Sequence, residues 1–517
     1  MTTPARDTFT LDRSPGPGPS YPCLFQINTR VVLTELSRSL NRPATLDDVP
    51  DSTLDRIAAN EFDWVWFLGV WQTGDAGRAI SRSNAKLVEE CRRDLPDLTT
   101  DDIAGSPFAI VAYTTHRDFG GDPALARIRA RLAKRNLKLL LDFVPNHTAP
   151  DHPWVTSRPE YYIHGSDEDL LHQPQNYARV HLPGNKTTVL AFGRDPYFDG
   201  WSDTFQLNYR HAGFREARIA ELGSIADRCD GVRCDMAMLL QPQIIQRTWG
   251  ERSRPADGSP PKDNPFWNEA IPAIKRRHPG FTFIAEVYWD MEWELQQAGF
   301  DYTYDKRLYD RLVTPQATPV REHLMADPAF QEHSLRFLEN HDEPRAAAVF
   351  PHEVHQSAAT IALLTRGLRF IHEGQLEGRK VHVSMHLGRR PREPVDEDLQ
   401  AFYWRLLECM RRPEVRDGEW HLAGVRPAWA GNPTHAQLVV SSWQQGERRV
   451  VVAVNYGPTQ AQGYVTIRMS GLAGKNFILD DLLSESEYHR SGDELASGGL
   501  YLDMPAWGRQ VFELRVE

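Results

Sequence analysis

The sequence predicts an α/β fold: a (β/α)8 TIM barrel with a small inserted domain after strand 3 and a C-terminal all-β sandwich domain. Three observations lead there. Short apolar runs alternate with longer amphipathic stretches, and eight such runs can be counted. That rhythm lapses between residues 148 and 208. Beyond residue 412 it gives way to apolar–polar alternation with period two.

In chain order, residues 1–20 are polar and rich in Pro and Gly, so they are expected to be a disordered tail. They lack the apolar stretch of a secretory leader. The barrel is assigned to 21–147 and 209–412. Its expected strands are Leu24–Asn28, Trp64–Leu68, Lys138–Phe143, Gly231–Cys234, Thr282–Ala285, Asp301–Tyr304, Leu335–Leu338 and Leu368–His372. Helices are expected over 123–136, where Leu125, Ile128 and Leu132 share a face, and over 265–278, which ends in a basic turn. The insert, 148–208, holds Trp154, Tyr161, Tyr162, Tyr197 and Trp201, expected to pack its small core. Residues 413–517 form the β domain.

Bulk properties narrow the function. A formal net charge of -11 argues against a protein that tracks nucleic-acid phosphates. No run is long and apolar enough to span a membrane. The five cysteines are scattered without a CxxC pair, which leads us to expect reduced thiols and a cytoplasmic location.

A barrel gathers its reacting groups at the C-terminal ends of its strands. Four predicted strands end in charge: LLLDFVPNH, GVRCD, FIAEVYWD and RFLENHDEPR. In the fourth strand Arg233 and Asp235 stand two residues apart, hence on one face, and a neighbouring guanidinium favours the ionised carboxylate a nucleophile needs. Glu286 ends the fifth strand among Ala285, Val287, Tyr288 and Trp289, an environment that raises a carboxyl pKa and suits a general acid. Asp342 follows His341; a second anion stabilises oxocarbenium character, and the imidazole can donate to a sugar hydroxyl. One ionised and one protonated carboxyl is the division of labour of glycoside cleavage.

These segments resemble the four signature regions of the α-amylase superfamily, glycoside hydrolase family 13, in the same order: Asp142-Phe-Val-Pro-Asn146-His147, Gly231-Val-Arg233-Cys-Asp235, Ala285-Glu286-Val and Asn340-His341-Asp342. The resemblance implies Asp235 as nucleophile, Glu286 as general acid and base, and Asp342 as transition-state stabiliser. It implies that Arg233 orients the nucleophile, that His147 and His341 contact sugar hydroxyls, and that Asp142 supports that subsite. An aromatic ring beneath the sugar would come from Phe108 or, second, Tyr113. The insert and β domain match the family's domains B and C. No cofactor is required, although several members bind calcium through the residue matching Asn146, and the insert offers Asp151, Asp167, Asp169 and Asp203. The implied substrate is an α-linked gluco-oligosaccharide or disaccharide, cleaved or transferred with retention. A phosphorylase or isomerase on the same scaffold is the alternative, and a non-catalytic sugar-binding relative is the reading from another class.

Two stretches depart from the family or add to it. Where many members carry a Lys-His pair after the nucleophile, this chain reads Met-Ala-Met238-Leu239, expected to line the acceptor side with apolar groups. After the eighth strand, His372-Glu373-Gly374-Gln375 and Arg389-Arg390-Pro391 are expected to close the donor pocket or to hold an anionic group such as phosphate.

Overall fold

The computed structural model describes residues 18–517; the expectation of a disordered tail concerns residues up to 17 that lie outside the described ones. Eight parallel strands close into a barrel: β1 Cys23–Asn28, β2 Trp64–Leu68, β3 Lys138–Phe143, β4 Gly231–Cys234, β5 Thr282–Ala285, β6 Tyr302–Tyr304, β7 Ser334–Arg336 and β8 Leu368–His372. Each pairs with its sequence neighbours, and β8 closes on β1. Strands such as β2, WVWFL, are buried at every position, because one face fills the barrel and the other meets the helices.

The expected strands thus form the barrel, with the largest difference at β7. Its ladder ends at Arg336 opposite Arg369. Phe337 and Leu338 remain buried but leave the ladder, carrying the chain to the mouth. An apolar run alone does not separate a paired strand from a buried extended loop. The expected helices run over Gly121–Ala133 and Trp267–Arg277.

Between β3 and β4 the chain forms short pieces. His147–Thr148 pairs with Phe205–Gln206, and Tyr177–Leu182 with Lys186–Ala191. Their core, Ile163, Tyr177, Val189 and Ala191, is completed by Trp249 from the helix Pro242–Trp249. The expected aromatic core is only partly realised: Tyr162 is buried, whereas Tyr197 stays exposed beside the Trp289 ring at 5.0 Å.

Strands β9 Glu419–Leu422, β10 Gly424–Pro427, β11 Leu438–Gln445, β12 Arg448–Asn455, β13 Ala461–Thr466, β14 Asn476–Asp481, β15 Glu487–Ser491, β16 Leu500–Met504 and β17 Arg509–Val516 make two sheets. Their orders are β9-β11-β12-β17-β14-β15 and β10-β13-β16. The period-two pattern explains the arrangement. Leu438, Val440, Val451 and Ala453 face the smaller sheet's Val465, Leu500 and Leu502, while Val439, Trp443, Val450 and Val452 join the core of the barrel. The five cysteines are buried and free. Among the described residues, no helix is long and apolar enough to cross a membrane.

Candidate active site

β3, β4, β5 and the loop after β7 deliver their charged ends to one place. Arg233 organises it. Its Nη1 donates to Asp235 Oδ1 at 2.7 Å and its Nη2 to Glu286 Oε2 at 2.6 Å, and Asp342 Oδ2 lies 3.8 Å from Nη2. The guanidinium carbon stands 5.6 Å from the Trp66 ring centroid and 5.3 Å from that of Phe108, so aromatic faces shield the cation from water. One positive charge therefore serves three carboxyls, in a setting where Asp235 is 6% and Glu286 3% exposed.

Burial pushes the Glu286 carboxyl up to about 7, with Asp235 and Asp342 adding to the rise and Arg233 opposing it. The acid is held by two further donors: the Met236 amide to Oε2 at 2.7 Å and the Tyr288 hydroxyl to Oε1 at 2.9 Å. Met236 reaches that position in the left-handed region, at φ 42°. A non-glycine residue there is strained, and here the strain aims a backbone N–H at the acid. Asp342 behaves oppositely. Burial disfavours its charge, but His341, Arg233 and His382 outweigh burial and hold it at about 2. Its side chain, flanked by these groups, is still 40% exposed and is the acid most open to the mouth. Asn340 Oδ1 accepts from the Asp342 and Glu343 amides at 2.8 Å each, a turn that fixes Asp342 in place.

The histidines and Asp142 cluster about the same carboxyls. His341 Nε2 lies 3.0 Å from Asp342 Oδ2, and its Nδ1 pairs with Gln26 Nε2 at 3.0 Å. His147 is buried and pushed down to about 4, hence neutral near pH 7 and able both to donate and to accept. Asp142 accepts from Trp66 Nε1 at 3.2 Å and the Gly69 amide at 2.7 Å. Gly69 has φ +72°, and a Cβ there would meet Pro107 Cβ at 2.7 Å, so the turn requires glycine. Phe108 is half-buried and packs against His341 at 5.7 Å.

Other expectations are corrected. Tyr113 is a core residue: its hydroxyl bonds the Val144 amide and carbonyl and accepts from Arg218, and its ring packs on Trp71 and Phe143. Met238 and Leu239 are buried in the core and line no acceptor surface; Met236 is the partly exposed one. Arg389 pairs with Asp97 and Asp102, and Arg390 with Glu35 and Glu373, so neither guanidinium is available to an anion. Asn146 Oδ1 accepts from Gln206 Nε2 at 2.9 Å, and the same nitrogen reaches Asn146 O at 3.0 Å and Leu207 O at 3.1 Å. An amide N–H₂ thus stands among the oxygens a cation would need, and these residues do not fit calcium. Asp151 accepts from the Ala76 amide, Asp167 pairs with Arg179 and Asp169 with Arg252. Asp203 is half-buried, and desolvation pushes it up to about 6, toward the neutral form. Among the described residues, no three His, Cys, Asp or Glu side chains are grouped to hold a metal.

Sequence reasoning missed Gln26, Trp66 and the buried Glu339–Arg345 pair, whose Nη1 to Oε1 distance is 3.1 Å. Gln26 had a visible signal: an amide between apolar Phe25 and Ile27 in the interior of the strand CLFQIN.

Residues 110–393, more than half of the chain, match the family model described as alpha amylase, catalytic domain. The chain belongs to the α-amylase family. Its relatives include Alpha-amylase MalA of Haloarcula japonica, 24% identical over 334 residues, which are 62% of this chain and 43% of the relative. An alpha-1,4-glucan:maltose-1-phosphate maltosyltransferase of Burkholderia pseudomallei is 24% identical over 280 residues, 52% of this chain and 20% of that protein. The chain thus spans less than half the length of these two curated relatives. Among solved structures, the noncanonic maltogenic alpha-amylase AmyB from Thermotoga neapolitana superposes with a TM-score of 0.67 at 17% identity, over 96% of this chain and 99% of that one. The family's fold accounts for the whole described arrangement of barrel, insert and β domain.

Proposed function

We propose that this chain is an α-glycoside-processing enzyme, a hydrolase or transglycosylase acting on α-glucosidic bonds with net retention. The observation that carries the reading is Arg233 bridging Asp235 and Glu286 through neighbouring nitrogens of one planar guanidinium. That arrangement keeps the two carboxyls close together, as a double displacement requires; an inverting pair stands about 6.5–9.5 Å apart to admit water between. Asp235 attacks the anomeric carbon. Glu286 protonates the departing oxygen and then deprotonates the incoming water or sugar hydroxyl. Asp342 stabilises positive charge on the ring, and His147, His341 and Phe108 hold the sugar. Proton NMR of the first product tests this: the α-anomer is expected first, and β-anomer first would refute retention. Proteins named amylase and maltosyltransferase both occur among the relatives, in keeping with a shared glycosyl-enzyme intermediate whose fate is set by the acceptor.

The acid's environment sets the pH profile. Glu286 must be protonated for the first step, so kcat/KM should fall as pH rises through about 7. Tyr288 donates to the carboxylate and so favours its ionised form. Tyr288→Phe removes that donor, raises the pKa, and should shift the alkaline limb upward. A limb that stays put or moves down would show that the hydroxyl does not tune the acid.

We also propose that calcium is not needed, because Gln206 occupies the position between the Asn146 and Leu207 oxygens. Excess EDTA should leave both Tm and kcat unchanged. A chelator-dependent drop in Tm would overturn this.

A further inference from the structure

Two hollows of unequal size reach partners of the carboxyls, one at Tyr288, which donates to Glu286, and one at His341, which pairs with Asp342. On the β5–β6 side lies an open hollow of about 590 Å3, lined by Tyr288, Trp289, Asp290, Lys306, Arg307 and Arg311. Across the mouth, beside β1 and β8, about 20 Å3 remains free among Asn28, His341, Arg345, His372, His382 and Arg390. β1 and β5 stand half a turn apart in the ring of eight, so these are opposite ends of one diameter.

Mechanism assigns a direction to that diameter. A proton from Glu286 must land on the leaving oxygen, so the leaving group lies on the β5 side. The sugar that is attacked points the other way, toward β1 and β8. Free space of about 20 Å3 there holds roughly one water. A further pyranose ring does not fit.

The wall that closes this end is segment 374–395, and its anchoring is extensive. His386 O accepts from the Ala104 and Gly105 amides at 2.8 and 3.2 Å, and the Gly388 amide donates to Asp102 O at 2.8 Å. Leu387 is buried with Cys91, Leu95 and Ile103. Arg390 makes two 2.6 Å bonds to Glu35. His382 Nε2 donates to the His341 carbonyl at 2.9 Å, joining the wall directly to the loop that carries Asp342. Backbone pairing, apolar burial and ion pairs act together, so the segment is a fixed wall and not a lid.

From this we infer that the enzyme works from the chain end: it takes a single non-reducing terminal α-glycosyl unit as donor and does not cleave internal bonds. This rests on the glycosidase reading above and specifies its substrate class. The donor sugar's far side meets the His341–His382 wall, so any substituent there is excluded, while the open side admits leaving groups of varied length.

The test uses the full chain with three probes: p-nitrophenyl α-glucoside, p-nitrophenyl α-maltoside, and the same maltoside capped at the non-reducing O4 and O6. Products are followed by mass spectrometry. Expected first products from the uncapped maltoside are glucose, or a glucosyl-transfer product, with p-nitrophenyl glucoside; the capped maltoside is left intact. Release of maltose with nitrophenol, or cleavage of the capped probe, would overturn the inference while leaving the glycosidase reading standing. Inertness toward both the glucoside and the uncapped maltoside would remove the glycosidase reading and the inference with it.

Discussion

Asp235→Asn should lower kcat by roughly 10⁴-fold or more while the protein stays folded. Asparagine keeps the oxygen that accepts from Arg233 Nη1 at 2.7 Å, and Nη2 keeps its bond to Glu286, so the site's geometry survives. What is lost is the anion that attacks the anomeric carbon. A companion variant makes the outcome diagnostic. Asp235→Gly leaves room beneath that carbon, and added azide should attack from the vacated side. It would expel the leaving group, protonated by Glu286, and yield the β-glycosyl azide. Full activity in Asp235→Asn would refute the nucleophile assignment. An α-configured azide from Asp235→Gly would place the attacking group elsewhere.

The second large effect concerns stability. Arg233→Leu removes the guanidinium shared by Asp235, Glu286 and Asp342, and breaking a buried charge pair from one side costs about 3–5 kcal/mol. The loss should depend on pH in a defined direction. Arg233 lowers the pKa of Glu286, Asp342 and Asp142 in the folded protein. Without it these values rise in the native state and stay the same in the unfolded chain. The native variant then binds more protons than its unfolded form over a wider range, so its stability falls more steeply as pH rises. The deficit in apparent Tm should therefore be smaller at pH 5 than at pH 8. A deficit that grows toward acid pH would show that Arg233 does not hold these carboxyls.

How far the sequence reaches can be judged residue by residue. The barrel was legible because each strand is a short apolar run, four of them ending in charge, and strand-end placement follows from the topology. Arg233 with Asp235 was legible because a two-residue spacing fixes a shared face. The link from Arg233 to Glu286 was not, since they lie on different strands and the contact depends on guanidinium reach. Tyr113 and Phe108 share one short segment, and only packing separates a ring sealed under Arg218 from one that borders the mouth. Arg389 and Arg390 suggested a free anion site, because the sequence does not show that Asp97, Asp102 and Glu35, distant along the chain but following the adjacent strands β1 and β2, fold against them. Gln206 was likewise invisible: nothing in local pattern says that its amide will cap Asn146.

The shared face of the C-terminal sheet has a consequence for cooperativity. Val439, Trp443, Val450 and Val452 are core residues of the barrel as much as of the β domain, and Trp443 Nε1 donates to the Leu364 carbonyl at 2.9 Å. Cutting the chain near Gly418 would therefore leave a wide greasy scar on the barrel's helices, and it would strip the sheet of one of its two apolar contacts. Neither part is then expected to fold on its own. The two should melt as one, with the β domain serving as the last layer of the catalytic barrel's own interior and not as a detachable appendage.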